Sequence, residues 1–274
     1  MKKRILTILI FIIMFSGLSL LFFPTISDFF NSVSRAKDIN TYAASVAEIN
    51  ENEYRRIWDS AVDYNARLAK KPAHWNLSES EIADYESQLD ISGRGIMSYI
   101  EIPKLRCSLP VYHGTEAGVL QIAIGHLEGT SLPVGGKSTH CVLSGHRGLP
   151  SAKLFSGLDQ LNVGDTFSIR TLDETLIYEV DEISVVLPEE TGKLQIIKGE
   201  DLCTLMTCTP YGINTHRLLV RGRRIYNENS TEIRVTADAL QIDPLMIAPF
   251  LGVPVLVILF VIVITYTRTR KRRE

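Results

Sequence analysis

The sequence predicts a mainly β domain, an eight-stranded barrel or sandwich, with a helical region before it and a membrane-spanning segment near each end. Three observations support this fold class. Short β-rich runs separated by turn residues fill the chain from Gly95 to Tyr226. Few windows there have a helical period, and the strand–helix–strand alternation of a doubly wound sheet does not occur. Two long apolar stretches lie outside this region.

Changes in composition divide the 274 residues into six parts. Residues 1–29 form an N-terminal membrane anchor or signal-anchor, 30–94 a helical region with a connector, and 95–228 the β domain. A linker at 229–244, a transmembrane helix at 245–267 and a basic cytoplasmic tail at 268–274 follow.

Both apolar stretches are long enough to cross a bilayer. Ile5–Phe23 carries no charged residue, and it exceeds the roughly 7–15 apolar residues of a signal peptide, which favours an uncleaved anchor over a cleaved one. Leu245–Ile264 precedes a cluster of basic residues. Since the basic flank of each stretch faces the chain end, the positive-inside rule predicts cytoplasmic termini and an extracellular region from about 30 to 243.

The helical region shows two patterns. From Ile39 to Lys70, apolar residues recur mostly at three- and four-residue steps, which predicts one amphipathic helix or a helix pair. Ser78 followed by Glu81 is a capping-box pattern for a short helix through about Gln88. The connector between the two patterns reads KPAHWN.

Eight runs in the β domain have strand composition, and one segment, Pro150–Leu161, has a helical composition. The regular spacing of the runs favours a closed barrel or a sandwich. The runs are Ile96–Ile102, Leu109–Tyr112, Val119–Ile124, Cys141–Leu143, Thr166–Ile169, Leu176–Val186, Leu202–Cys208 and Arg217–Ile225.

Charge and cysteine content narrow the function classes. The net charge of −2 with 22% charged residues argues against a general nucleic-acid binder. No C-x-x-C or H-E-x-x-H spacing indicates a metal site. The even number of cysteines permits two disulfides in an extracellular domain, although a domain of about 200 residues does not need them. The cysteines are Cys107, Cys141, Cys203 and Cys208.

Cys208 is the candidate nucleophile because it ends a strand-like run in TLMTCTPYGINTHR. The alternative is a buried thiol. A cysteine attacks as the thiolate and needs a partner that takes a proton, most often histidine. His146 follows an apolar run in VLSGHRG, at a strand end where barrel sites open. The other histidines are His126 in a similar setting, His216 beside Arg217, and His74, His113 and His140 in loops.

Arg217 begins the strand that follows Cys208. If the two strands pair antiparallel, their facing ends lie within about 5–8 Å of each other. The guanidinium could then donate to an oxyanion at the carbon that the sulfur attacks. The alternative is that Arg217 pairs with an acidic neighbour or faces solvent.

Four segments resemble a known family. TLMTC at 204–208 is similar to the T-L-x-T-C signature of sortases, the cysteine transpeptidases of Gram-positive cell surfaces. The resemblance is to the pilus-assembling class C branch, spans most of 96–226 and includes the two-anchor layout. The segments are YIEIPKL, VYHGT, GHLEGTSLPVGGKSTHCVLSGHRGLPSAKLF and TLMTCTPYGINTHRLLVRGRR.

The resemblance implies a sortase barrel of about eight strands and assigns the site. Cys208 would be the nucleophile, His146 the general acid–base, Arg217 the oxyanion-stabilising or substrate-orienting arginine, and Thr207 a substrate contact. The implied reaction cleaves an LPxTG-like sorting signal between Thr and Gly and joins pilin subunits by an isopeptide bond to a lysine. It implies an extracellular catalytic domain at the membrane of a Gram-positive bacterium, without metal or cofactor. Because Cys208 must stay free, the other three cysteines would be buried apolar residues.

The chain departs from the class C pattern at the lid. The resemblance implies an Asp-Pro-aromatic triplet that covers the cysteine, and the connector has none. His74 and Trp75 are the lid candidates at this place. The Trp75 ring is large enough to shield a thiol, and the alternative is that it packs against the preceding helix.

Three other functions stay open on the sequence. One is a cell-wall-anchoring sortase, against which the C-terminal anchor and the helical region argue. Another is a non-catalytic membrane-tethered β-barrel that serves as a scaffold of a pilus or adhesin system. The last is a hydrolytic cysteine protease, in which water resolves the thioester.

Overall fold

The computed structural model describes residues 2–71 and 75–226. The chain divides into two units, residues 1–30 with 235–274 and residues 31–234. The predicted linker, C-terminal transmembrane helix and basic tail lie outside the described residues, as does His74.

The N-terminal helix α1, Lys2–Glu48, contains the predicted anchor. Its stretch Leu9–Glu48 is the one helix within residues 2–71 and 75–226 that is long and apolar enough to cross a membrane. The side chains of its apolar half are mostly exposed, including Leu20, Leu21 and Phe23. Exposed apolar side chains over this length are typical of a segment that contacts lipid.

The predicted helix pair from 39 to 70 corresponds to the end of α1 and to a second helix, and the predicted capping box begins a third helix. Helix α2, Glu51–Leu68, begins at Asn50, whose side chain accepts a hydrogen bond from the Glu53 backbone N–H at 3.0 Å. Helix α3, Glu79–Ser87, begins with the capping box of Ser78 and Glu81. In this box the Ser78 backbone N–H donates to the Glu81 carboxylate at 2.8 Å. The two caps satisfy N–H groups that have no partner within their helices.

Eight strands form a closed barrel in the order β1-β2-β3-β4-β7-β8-β6-β5. The pairs β2–β3 and β4–β7 are parallel, and the other neighbours are antiparallel. Of the two architectures that the sequence allowed, a closed barrel and a sandwich, the structure has the closed barrel. The strands are β1 Ile96–Ile102, β2 Cys107–His113, β3 Ile124–His126, β4 Thr139–Ser144, β5 Thr166–Thr171, β6 Glu174–Val186, β7 Asp201–Thr209 and β8 His216–Arg224.

The predicted strand Val119–Ile124 is wrong over most of its length. A short helix α4, Ala117–Leu120, occupies its start, and β3 begins only at Ile124. Short apolar runs do not distinguish a strand from a turn of helix. Here Ile122 is exposed while Ile124 is buried, so only the end of the run enters the barrel.

The predicted helix Pro150–Leu161 is also wrong, because only Leu158–Gln160 forms a single 3-10 turn. Leu154 has a φ of +33°, which interrupts a right-handed helix. The apolar side chains of this segment are nevertheless buried in the barrel core. They pack there although the backbone that carries them is irregular.

All four cysteines are free thiols. Cys141 and Cys203 are register partners on β4 and β7 and are buried in the barrel core, as the sequence predicts. Burial raises the pKa of the Cys203 thiol well above its ordinary value. Cys107 is half-buried against the same core, and burial raises its pKa to about 12. Neither of these thiols has a thiolate available for attack at neutral pH.

Candidate active site

The hairpin of β7 and β8 brings Cys208 and Arg217 together. The two residues are direct register partners in the antiparallel ladder, near the end of β7 and the start of β8. Partners in such a ladder direct their side chains to the same face. The predicted pairing of these strands is therefore confirmed.

The face that carries Cys208 is the outer face of the barrel. Along β7, Cys203 and Leu205 lie in the core, and along β8, Leu218 and Val220 do so. Side chains alternate between the two faces of a strand, so Cys208 and Arg217 point outward. Cys208 is only half-buried, in contrast to the core thiols.

His146 reaches the same end of the barrel from β4. The parallel register of β4 and β7 ends with Ser144 opposite Met206. The Gly145 N–H then donates to the Met206 carbonyl at 3.0 Å, which extends the pairing past the strand end. His146 stands two residues beyond Ser144, as Cys208 stands two residues beyond Met206. Three adjacent strands thus bring one histidine, one cysteine and one arginine to neighbouring ends.

The Thr207 side chain lies on the same face of β7 as Cys203 and Leu205, towards the barrel core. Its side chain is 2% exposed, and its hydroxyl donates to the Gly145 carbonyl at 2.7 Å. The assignment of Thr207 to substrate contact is not supported by this geometry. This hydrogen bond instead links Thr207, which precedes Cys208, to Gly145, which precedes His146.

Three of the other histidines have structural partners. His126 contacts the Tyr85 hydroxyl at 3.0 Å and the Ser131 carbonyl at 2.8 Å, and it is fully buried. His140 lies 2.9 Å from the Gln195 carbonyl and 2.8 Å from the Thr204 hydroxyl, and burial lowers its pKa.

His113 contacts the carbonyls of Gly95 and Gln88, and burial lowers its pKa as well. His216 lies opposite Thr209 in the ladder. The alternation along β8 places its side chain on the face opposite to that of Arg217. Among the described histidines, His146 and His216 therefore lie at strand ends beside Cys208, and the His216 side chain is on the face opposite to that of Arg217.

Arg217 contacts only carbonyl groups among the described residues. Its Nη1 donates to the Asn214 carbonyl at 3.4 Å and to the His216 carbonyl at 3.2 Å. Within the part of the chain that the structure describes, no carboxylate pairs with it, in contrast to Arg221 and Arg223 on the same strand. Its charge is thus available to an anion that forms beside Cys208.

An apolar cluster lies on the outer face of the barrel. Val142, Val186, Leu194 and Leu219 form its buried part, and Trp75, Leu127 and Met206 pack against it. We call these residues the outer cluster. Met206 belongs to the same face of β7 as Cys208 and precedes it by two positions. Trp75 therefore packs on the face that carries Cys208, as the lid interpretation requires.

Arg147 and Tyr211 are features of the site that the sequence interpretation missed. The guanidinium carbon of Arg147 lies 5.8 Å from the centre of the Tyr211 ring, and Arg147 also contacts Thr209. The available signal was the position of Arg147 directly after His146 and of Tyr211 in the loop after Cys208.

Within residues 2–71 and 75–226, no group of three or more His, Cys, Asp or Glu side chains is arranged to hold a metal ion. The chemistry that the described residues themselves support is nucleophilic attack by a thiol, with an imidazole as proton carrier and a guanidinium as anion donor.

Comparison with known proteins identifies the family. A sortase domain model matches residues 100–225. Sortase D of Bacillus subtilis is 27% identical over 129 residues, which cover 46% of this chain and 62% of that protein. Sortase A of Streptococcus agalactiae is 27% identical over 159 residues, which cover 53% of this chain and 64% of that protein. The match thus spans slightly less than two thirds of each of these curated relatives.

Solved structures match over almost their full length. Sortase C1 of Streptococcus agalactiae is 52% identical with a TM-score of 0.69, covering 70% of this chain and 100% of that one. Sortase C1 of GBS pilus island 1 is 44% identical with a TM-score of 0.65, at 72% and 95% coverage. Sortase C of Streptococcus pneumoniae is 42% identical with a TM-score of 0.64, at 70% and 97% coverage. The chain belongs to the sortase family, and these structural neighbours are sortases of class C.

Proposed function

We propose that this chain is a membrane-anchored cysteine transpeptidase that cleaves an LPxTG-like sorting signal between Thr and Gly and joins pilin subunits through a lysine. The observation that carries the proposal is the position of Cys208, His146 and Arg217 at adjacent strand ends of a barrel similar to those of class C sortases. Two neighbours are associated with a pilus island and with pilin substrate specificity, which supports a pilin as the substrate.

The first half-reaction forms a thioester. The Cys208 sulfur attacks the Thr carbonyl carbon, and the carbonyl oxygen becomes an oxyanion to which Arg217 donates hydrogen bonds. The C–N bond then breaks, and the glycine amine leaves with a proton from His146. The product is an acyl group on Cys208 and a released fragment that begins with glycine.

The second half-reaction transfers the acyl group. His146, now neutral, takes a proton from the lysine ammonium of the next pilin, and the free amine attacks the thioester carbon. The C–S bond breaks, the attacking nitrogen loses a proton that restores the thiol of Cys208, and an isopeptide bond remains. Water would give hydrolysis instead, so the rate advantage of the lysine comes from its placement beside the thioester.

The outer cluster supplies the binding surface for the sorting signal. Apolar side chains such as Met206 and Leu219 adjoin Cys208 and Arg217 on the same face, and they fit the Leu and Pro of the signal. Trp75 packs on this surface. It therefore acts as the lid residue that must leave before the signal binds, in place of the absent Asp-Pro-aromatic triplet.

The proposal places the enzyme at the membrane of a Gram-positive bacterium. The apolar part of α1 serves as one anchor and residues 245–267 as the other, with both termini in the cytoplasm. The barrel then faces outward, where secreted pilins arrive while still attached to the membrane.

The test is pilin polymerisation by the full-length chain in detergent or lipid nanodiscs. Incubation with a pilin that carries an LPxTG-like signal should give a ladder of covalent multimers. The Cys208→Ala variant should give no ladder, while Cys107→Ala, the matched control at a thiol outside the site, should retain it. An unchanged ladder with Cys208→Ala would refute the proposal.

The acceptor is identified with the same components. With a pilin whose acceptor lysines are replaced by arginine, the ladder of covalent multimers should disappear. Only the product of the slower hydrolysis by water should form. If a peptidoglycan-type amine is preferred over the pilin lysine, the cell-wall-anchoring alternative is correct.

A further inference from the structure

Arg147 lies between the loop that carries His146 and the hairpin that carries Cys208. Its Nη2 pairs with the Asp159 carboxylate at 2.5 Å, and its Nη1 donates to the Thr209 hydroxyl at 3.4 Å. The guanidinium carbon stands 5.8 Å from the centre of the Tyr211 ring. Arg147, which directly follows His146, thus contacts Thr209, the residue after Cys208, and Tyr211 in the loop beyond it.

The burial of Arg147 is unusual for a charge this near to an open site. Its side chain is 11% exposed, whereas that of Asp159 is 46% exposed. The Nε atom is buried and has no hydrogen-bond partner among the described residues. Burial of an unpaired donor costs free energy. The surrounding contacts therefore hold the guanidinium in place, although its Nε donor has no hydrogen-bond partner among the described residues.

Gly148 allows the two loops to approach each other. It has a φ of +79°, and a Cβ atom there would lie 2.7 Å from the Tyr211 ring. The Tyr211 ring therefore rests directly on the backbone of the loop that follows His146. The Gly148 N–H donates to the Ser156 hydroxyl at 3.0 Å, which fixes the same loop from its other side. Tyr211 is itself 63% exposed, so burial of its own ring does not account for its position.

We propose that Arg147 is a positioning residue for the transpeptidation, because it joins the His146 loop to the Cys208 hairpin and so sets the approach of imidazole to thiol. This inference rests on the proposed function and names a residue that acts through His146 and Cys208, without contact to the substrate. Asp159 and Tyr211 hold the guanidinium from two sides. The backbone bond from the Phe155 N–H to the His146 carbonyl, at 3.2 Å, does not reach the hairpin.

The expected consequence is a loss in kcat rather than in binding. The outer cluster that would bind the signal contains neither Arg147 nor Tyr211. A small misplacement of reacting groups lowers a rate by up to about 100-fold. Arg147→Gln should therefore lower kcat by about 10- to 100-fold and leave KM for a sorting-signal peptide within about threefold.

The experiment compares Arg147→Gln, Arg147→Lys and Tyr211→Leu in the full-length chain, with Arg170→Gln as control. Arg170 has a similar cation–π contact, 5.9 Å from the centre of the Tyr99 ring, on strands away from the site. Arg170→Gln should keep wild-type kcat. Arg147→Lys retains the charge beside Asp159 and should recover part of the loss. The Arg147→Gln/Tyr211→Leu double variant should be no slower than Arg147→Gln alone, because both changes remove one coupled contact.

A second measurement separates positioning from folding. The alkylation rate of Cys208 is followed against pH, with Cys208→Ala as the blank that removes the contribution of the other thiols. In Arg147→Gln the profile should move to higher pH, because the imidazolium no longer stands beside the thiolate. A smaller folded fraction would reduce the amplitude without moving the profile.

Wild-type kcat and an unmoved pH profile in Arg147→Gln would overturn the inference, as would an equal loss of kcat in Arg170→Gln. These results differ from a failure of the proposed function, in which the Cys208→Ala variant would still give a ladder. Loss of the ladder in Cys208→Ala together with wild-type behaviour of Arg147→Gln would reject the positioning role alone.

Discussion

Two of the proposed catalytic residues, Cys208 and Arg217, differ from the other cysteines and arginines of the barrel by what surrounds them. Cys208 is half-buried at a strand end, whereas Cys141 and Cys203 face the core. Arg217 contacts carbonyl groups, whereas Arg223 on the same strand pairs with Glu200. A reactive thiol and a cation without a carboxylate partner are what thioester chemistry requires.

Arg217 gives the first prediction at the residue scale. Replacement with alanine removes the donor to the oxyanion, so kcat should fall by about 100- to 1,000-fold while KM changes little. Steady-state kinetics with a sorting-signal peptide measures both constants. Arg223→Ala, which breaks an exposed ion pair on the same strand, should keep wild-type kcat. Equal effects of the two substitutions would assign Arg217 to structure and not to catalysis.

His140 gives a second prediction, on stability against pH. Burial lowers its pKa in the fold, so the unfolded chain binds the proton more readily. The contribution of His140 to stability is full above the ordinary histidine pKa of about 6.5 and is lost as the pH falls through the lower folded value. His113 has the same sign. Denaturant unfolding should give a smaller free energy at acidic pH than at neutral pH, and His140→Asn should reduce this difference. A free energy that rises on acidification would contradict the account.

At the element scale, the strands with alternating or continuous apolar patterns were predictable, and the irregular segments were not. β1, β7 and β8 match their predicted runs within one or two residues. The apolar residues of 150–161 pack in the core, whereas most of 119–123 does not. Nothing in the local pattern of either segment excludes a strand or a helix.

The same distinction applies to the site. The pairing of Cys208 with Arg217 follows from a local hairpin, so the sequence alone predicts it. His146 comes from a parallel pairing of β4 with β7, which no short-range pattern encodes. Its position after an apolar run made it one candidate among the histidines, and the family resemblance assigned it. The contact of Arg147 with Tyr211 depends on two loop conformations and was missed. A motif names residues without giving their orientation, so the bond of the buried Thr207 hydroxyl to the Gly145 carbonyl could not be read from the sequence.

Trp75 gives the prediction for the connector between α2 and α3. The ring packs on the outer cluster, so Trp75→Ala should expose the site. Because about 1 kcal/mol of apolar contact is lost, the alkylation rate of Cys208 should rise several-fold. The control is Trp58→Ala, since Trp58 packs on the barrel core from α2. Equal alkylation rates in wild type and Trp75→Ala would show that Trp75 does not cover the thiol.

At the scale of the whole molecule, the proposed reaction requires the barrel outside the membrane and the anchors within it. In intact cells, a membrane-impermeant thiol reagent should label Cys208, and labelling should be lost in Cys208→Ala. Epitope tags at either terminus should be inaccessible until the cells are lysed, because the positive-inside rule predicts that both termini lie in the cytoplasm. A tag that is accessible in intact cells would contradict the predicted topology at that end.

Mass spectrometry of the acyl-enzyme shows whether Cys208 carries the acyl group. The full-length chain is mixed with a sorting-signal peptide without an amine acceptor, quenched in acid and digested. We expect the mass of the peptide up to its Thr on the fragment that contains Cys208, and its loss on addition of hydroxylamine, which cleaves thioesters. An adduct on any other residue, or none with the signal peptide consumed, would contradict the account.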